Sequence, residues 1–356
     1  MKPLAFTSRH FPVIHLLILF ALILFAMVGL SGARQKARPV LDKTRTFSIS
    51  VDDNFVTLRD VRTGEVLSVK PVGAPAPGTP PPPATGYTFQ TLAAPAGAVN
   101  ASALGMNSSG TQIVGVYSPS GVSLNTNGLV YNAGKMKSLN YPGAAVTALL
   151  GINDEGTIVG YYSGSNTGFS HAVVYKNGQF TTLNQHPAFG ASADGIGDSG
   201  AIVGTFNPNG QTNQTISVLI VNNIYSQIVF PGEADLTFAN GINQTGEIVG
   251  SYGTPQTYLG FTDANGTFTT VQVPGAQLTL ASAISNNGNI AGVYTDSSNL
   301  AHGFTFIHGQ YTTIDYPGGI QTSLSGIDDA GDVVGSYSGG PCTLPGKNCA
   351  FLATVR

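Results

Sequence analysis

The chain carries little charge. Its 356 residues include 15 Lys/Arg and 18 Asp/Glu, only 9% of the total. From residue 71 onward five Lys/Arg remain (Lys135, Lys137, Lys176, Lys347 and Arg356) against thirteen Asp/Glu. Nucleic acids are held by basic groups that neutralise phosphates, so this composition excludes a nucleic-acid partner. Solubility falls instead to Asn, Ser, Thr and Gln.

Cysteine is scarce too: Cys342 and Cys349 are the only two. Seven residues apart in a Pro/Gly loop, in an exported chain, they read as one local disulfide. No His or second Cys pair lies near them in sequence, so a metal site is not expected. Apolar runs are also few. Residues 16–30 form the long one, preceded by Lys2 and Arg9 and followed by Ser31-Gly32-Ala33. Basic start, apolar middle and small-residue end describe an export signal over residues 1–33. The run falls short of the roughly 20 residues a membrane-spanning helix needs. The alternative is an uncleaved anchor over residues 11–30, the chain's single route to a membrane. Arg34, Lys36 and Arg38 just beyond it disfavour a cytoplasmic N-terminus. Either way, the rest of the protein is expected to be secreted or extracytoplasmic.

Three further segments follow. Residues 34–70 concentrate charge, with eight Lys/Arg and five Asp/Glu, and alternate as strands from residue 46. A small three-stranded meander is predicted there. Residues 71–86 hold seven prolines and read as an extended polyproline linker. Residues 87–356 are repetitive. Six times a Gly closes the phrase Ile/Val-Val/Ala-Gly and is followed two residues later by an aromatic. These are Gly115, Gly160, Gly204, Gly250, Gly292 and Gly335. Their spacing of 42 to 46 residues marks stacked supersecondary units.

One unit reads as four strands. In the second copy, 151–153 ends a strand and 154–156 turns. Residues 157–162, 171–175 and 179–183 are further strands, with Asn177-Gly178 as a hairpin turn. Four antiparallel strands in about 44 residues are a propeller blade. The predicted fold is therefore all-β, a six-bladed β-propeller. The last copy stops after its third strand, and an orphan strand at 87–92 precedes the first. That strand is predicted to complete the last blade and close the ring, removing an exposed edge. An open β-solenoid is the alternative. The recurrent glycine lies inside a strand, where it marks a bulge or a close backbone approach.

The repeat Gly-Ile-Asn-x-x-Gly-x-Ile-Val-Gly-x-Tyr, followed by His-Ala/Gly-Phe and then Pro-Gly, resembles the bacterial extracellular HAF repeat. Its residues here include Gly151-Ile152-Asn153, Gly241-Ile242-Asn243, Gly326-Ile327-Asp328, Ala301-His302-Gly303-Phe304 and His171-Ala172-Val173. The resemblance covers about residues 87–356. It implies export and a propeller-like fold, and carries no catalytic residue over.

The aromatics after the glycines are Tyr117, Tyr162, Phe206, Tyr252, Tyr294 and Tyr337. They form either a stacking platform for a sugar or a recurrent inter-blade contact, and strict recurrence favours the contact. Asn107, Asn153, Asp198, Asn243, Asn286 and Asp328 sit at one turn and read as Asx turns. Asp328-Asp329 with Asp332 comes nearest to a calcium loop and lacks its spacing. Pro95, Pro142, Pro187, Pro231, Pro274 and Pro317 stop the fourth strands. His171 and His302 open third strands without a nucleophilic partner beside them in sequence. His186 and His308 lie in a connection and a turn, so no histidine metal site is expected.

The connections between strands 2 and 3 are long and varied, at 118–127, 163–170, 207–215, 253–260, 295–301 and 338–348. Function usually lives in such loops. The composition and motifs therefore point to a non-enzymatic binding or adhesion protein without a cofactor. Its partner would be a glycan or a surface protein, bound on the face of the 2–3 and 4–1 connections. The alternatives are an extracellular carbohydrate- or polymer-degrading enzyme using carboxylates such as Asp194, Glu233, Asp235 or Asp296, and a structural surface repeat without a ligand.

Overall fold

The computed structural model describes residues 47–51, 55–60, 66–71, 78, 80–119, 126–164, 169–183, 190–207, 216–232, 237–253 and 258–356. The export signal expected over residues 1–33, or the alternative anchor over 11–30, falls outside the described residues. Among the described residues every regular element is a strand. Phe47–Val51, Phe55–Asp60 and Val66–Pro71 form the three-stranded antiparallel sheet expected near the N-terminus.

Six four-stranded antiparallel sheets follow. Blade 1 is Ala98–Met106, Gln112–Pro119, Asn127–Asn132 and Lys135–Ser138. The first strands of blades 2 to 6 are Val146–Ile152, Ala191–Ile196, Thr237–Ile242, Leu278–Ile284 and Gln321–Ile327. First strands of consecutive blades touch, and that of blade 6 touches that of blade 1. The sheets thus form a ring, which excludes the open solenoid. In blade 6 the third strand, Asn348–Val355, pairs antiparallel with Tyr87–Thr91, from Phe351↔Thr91 to Val355↔Tyr87.

Burial falls from the axis outward. The first strand of blade 2 is almost wholly buried, whereas its fourth strand, Gln179–Thr182, alternates with solvent. The apolar clusters lie between blades. One joins Val203, Ile228 and Phe230 of blade 3 to Ala239, Ile248 and Phe261 of blade 4. Each fully buried Phe or Val side chain there contributes roughly 1.5–3 kcal/mol. The 3–4 turns behave as their sequences demand. Asn177-Gly178 and Asn265-Gly266 both hold positive φ, as does His308-Gly309, the backbone of a type I′ hairpin.

The recurrent glycine has a specific task. In every blade the pairing of strands 1 and 2 skips one residue at that level, a β-bulge. A Cβ on any of the six glycines would overlap the carbonyl oxygen of a first-strand residue, such as Ala148 for Gly160 and Ser323 for Gly335. The glycine admits the carbonyl, and the strand bulges beside it.

Two terminal features differ in texture. Cys342 and Cys349 are bonded, with Cα atoms 5.6 Å apart, and both are buried in the blade 6 cluster. Replacing both by Ser should cost roughly 2–3 kcal/mol for so short a loop, read as a lower urea midpoint at unchanged slope. The end of the Pro-rich segment is docked rather than free. Ala84 N–H donates to the Thr313 carbonyl at 2.8 Å, Thr313 N–H donates to Pro82 O at 3.0 Å, and the Thr313 hydroxyl donates to Pro81 O at 3.0 Å. This run lies against Gln310–Ile314, the fourth strand of blade 5.

Candidate functional site

The bulges fill the axis. The six residues skipped by the pairing are Leu104, Leu150, Asp194, Asn240, Ser282 and Ser325, one per blade. All six line a single axial cavity of about 60 Å³. The ring is lopsided: two leucines on adjacent blades face an acid, an amide and two hydroxyls on the other four. Asp194 Oδ1 accepts a hydrogen bond from Ser192 at 2.7 Å. Its Oδ2 is buried and has no hydrogen-bond partner among the described residues. Burial pushes the carboxyl up to about 7, against the opposing hydroxyls of Ser192 and Thr205. Asn240 Nδ2 donates to Ala281 O at 2.9 Å, and Ser325 Oγ donates to Ala103 O.

One end of the axis is bridged by the 1–2 turns. Asp198 of blade 3 accepts from Asn286 Nδ2 of blade 5 at 2.8 Å and from Ser108 Oγ of blade 1 at 3.2 Å. Around the rim, backbone N–H groups donate to the Asx oxygen of the next blade. Ser109 donates to Asp154 (3.0 Å), Asp154 to Asp198 (2.8 Å), Gln244 to Asn286 (2.9 Å) and Asn286 to Asp329 (2.7 Å). The sequence grouping of these turn residues needs correction. Asn107, Asn153, Asn243 and Asp328 cap their own turns, accepting from Gln112, Thr157, Glu247 and Asp332 N–H. Asp198 and Asn286 sit one residue later and face the neighbouring blade, because Gly197 and Ser285 occupy the capping position. The acidic turn of blade 6 is spent likewise: Asp328 accepts its own turn's N–H and Asp329 that of Asn286. No group of three His, Cys, Asp or Glu able to hold a metal occurs among the described residues.

The opposite face carries a second polar cluster. His302 Nδ1 lies 2.8 Å from Asp315 Oδ2, and its Nε2 lies 3.6 Å from Asp296 Oδ2. The 2–3 connection of blade 5 supplies Asp296, and the start of the connection to blade 6 supplies Asp315. The imidazole rests on Tyr294 at 5.1 Å. The hydrogen bond to Asp315 leads in raising the His302 pKa, with both carboxylates adding charge attraction against partial burial. Partial burial opposes ionisation of Asp296, yet Leu300 and Ser298 N–H and His302 hold it below the usual carboxylate value. Asp315→Asn is therefore expected to lower the His302 pKa, as read by an NMR titration of the imidazole. An unmoved titration would remove Asp315 as the cause.

No protein-family model matches this chain, and no curated protein does, so the HAF-repeat resemblance stands on its motif residues alone. Solved structures share its outline at low identity. TolB from Acinetobacter baumannii is 11% identical over 87% of this chain and 79% of that one, with a TM-score of 0.45. A protein of unknown function from Dyadobacter fermentans is 12% identical over 77% and 100%, with a TM-score of 0.48. A gluconolactonase from Xanthomonas campestris is 15% identical over 80% and 99%, with a TM-score of 0.46.

The six aromatics do not meet. Phe206, Tyr252, Tyr294 and Tyr337 are buried and belong to four different inter-blade clusters, while Tyr117 and Tyr162 are half-buried. Three are stacked on the aromatic in the connection that leads into their own blade. Tyr162 lies 3.6 Å from Tyr141, Tyr252 lies 3.5 Å from Phe230, and Tyr337 lies 3.6 Å from Tyr316, with rings within 5° of parallel. Hydroxyls of Tyr252 and Tyr294 meet Thr270 and Thr313 on the fourth strand at 2.8 and 2.9 Å. His171 rests on Tyr162 at 5.1 Å, as His302 rests on Tyr294.

Of the candidate carboxylates, Asp194 lines the axial cavity and Asp296 belongs to the His302 cluster. Glu233, Asp235 and His186 lie outside the described residues. So do the middles of the first four long connections.

Proposed function

We propose that this chain is an exported, non-enzymatic binding or adhesion module. Its ligand, a glycan or a surface protein, is taken on the face of the 2–3 and 4–1 connections. The observation that carries this reading is the unequal use of the two faces. The 1–2 turns commit their Asx groups to neighbouring blades. The opposite face leaves His302 partly accessible between two carboxylates. Planar, charged hydrogen-bonding groups on loops over a rigid scaffold suit hydroxyl-rich ligands. Export is supported by the basic-apolar-small N-terminus, by the likeness to HAF repeats and by the disulfide, which belongs to oxidising compartments.

A glycan array probed with the exported chain tests this directly. Binding should be lost in a His302→Ala, Asp296→Ala double variant and kept in Asp329→Asn on the turn face. The reverse pattern would sink the assignment of face. A second reading, carbohydrate or polymer breakdown, is favoured by Asp194, whose elevated pKa suits a general acid. It requires a second carboxylate, and none other lines the cavity among the described residues.

A further inference from the structure

Asp194 has no evident structural reason to be an acid. The equivalent bulge positions hold Leu, Leu, Asn, Ser and Ser, so the ring tolerates apolar and neutral polar side chains alike. A buried carboxylate oxygen without a donor costs stability unless something pairs with it. The oxygens that share its cavity are neutral. Asn240 commits its Nδ2 to Ala281 O, leaving Oδ1 as its free polar atom. Ser325 donates to Ala103 O and retains lone pairs. Ser282 lines the same space. The turn end of the axis is bridged by Asp198, Asn286 and Ser108, so a ligand would enter from the long-connection side.

We propose that the axial cavity binds a small monovalent cation, with Asp194 as the charged ligand and Asn240, Ser282 and Ser325 as neutral oxygen ligands. Charge decides between valences. One carboxylate neutralises a monocation, whereas a divalent ion would leave a buried net charge. Hard oxygen donors suit sodium, potassium or ammonium. The volume fits an ion with one or two waters. The site is separate from the ligand face proposed above, so either idea stands or fails alone.

The test is thermal unfolding of the exported chain at pH 8.5 in choline, sodium, potassium or ammonium chloride at matched ionic strength. Choline is too large for the cavity and serves as the reference. At least one small cation should raise Tm by roughly 5 °C at saturation. Asp194→Asn should abolish that difference, and Asn240 shows that an amide fits the ring. The sign with pH follows from the raised pKa. A proton stabilises Asp194 in the folded state below about 7, so the cation effect should vanish at pH 5. In choline, wild-type stability should fall from pH 5 to 8.5 relative to the variant. Tyr161 is the titratable group that couples to Asp194, and burial with that carboxylate keeps its phenol protonated over this range. Equal Tm in all four salts, or the same salt response in Asp194→Asn, would overturn the proposal. A response to calcium or magnesium alone would overturn the monovalent assignment.

Discussion

Gly160→Ala and Gly335→Ala are expected to destabilise the fold by about 3 kcal/mol each, at the upper end of ordinary overpacking. The added methyl would overlap the Ala148 or Ser323 carbonyl oxygen. Backbone atoms in a buried sheet cannot move aside as a flexible side chain can. Relief would require straightening the bulge, which withdraws Leu150 or Ser325 from the axis and shifts the register of the strand pair. Gly178→Ala is the control. Its φ of 83° makes alanine unfavourable, but nothing lies within 4 Å of the new atom, so about 1 kcal/mol is expected. Urea denaturation of the three variants separates the cases. Equal losses at Gly160 and Gly178 would show that conformational preference, not the close carbonyl, explains the recurrence.

The second large effect concerns the N-terminal strand. Removing residues 78–91 should leave blade 6 with three strands. The deletion exposes the edge of Asn348–Val355 and uncovers Phe351, which packs 6.0 Å from Phe89. Phe89 also meets Tyr316 at 5.6 Å, and Thr91 bonds the Tyr337 hydroxyl at 2.9 Å. The lost aromatic burial and strand pairing predict a fall in Tm on the order of 10 °C. The bare edge predicts self-association, visible as a concentration-dependent shift in size-exclusion chromatography. A synthetic peptide of residues 78–92 added in trans should reverse both. A truncated chain that stays monomeric and melts as the wild type does would rule this strand out as the closing element.

Much of the architecture is legible along the chain because a blade is a local object. Strands 1 and 2, and strands 3 and 4, are joined by short turns, and turn chemistry such as Asn177-Gly178 or Asn265-Gly266 is written in adjacent residues. The disulfide was readable for the same reason, since its cysteines are seven positions apart. The packing role of the aromatics was readable from their recurrence, although their stacking partners Tyr141, Phe230 and Tyr316 were not. Those rings precede the strand-stopping prolines and reach into the following blade.

The candidate sites were less legible. Nothing beside Asp194 in the sequence distinguishes it from an exposed acid. It faces the axis because the strand pair slips by one residue there, and that slip depends on Gly204 in the partner strand. Counting one residue back from Gly105, Gly151, Gly195, Gly241, Ala283 and Gly326, four of which open a Gly-Ile pair, would have exposed the ring, as Leu104, Leu150, Asp194, Asn240, Ser282 and Ser325. The His302 cluster gathers residues 6 and 13 positions from the histidine, and the hairpin registers bring them to one end of the blade. The docking of Pro81–Ala84 on Thr313 joins segments more than 220 residues apart, beyond the reach of local pattern.

The sequence alone therefore determined the repeating unit, its four strands and turns, and the glycine that each unit requires, because all of these are set by short-range backbone preference. Only the tertiary structure decided what the repeats do differently. Ring geometry points one bulged side chain per blade at a common axis, and there the copies diverge from leucine to a buried carboxylate. That choice of direction arises from packing between blades, which no single repeat contains.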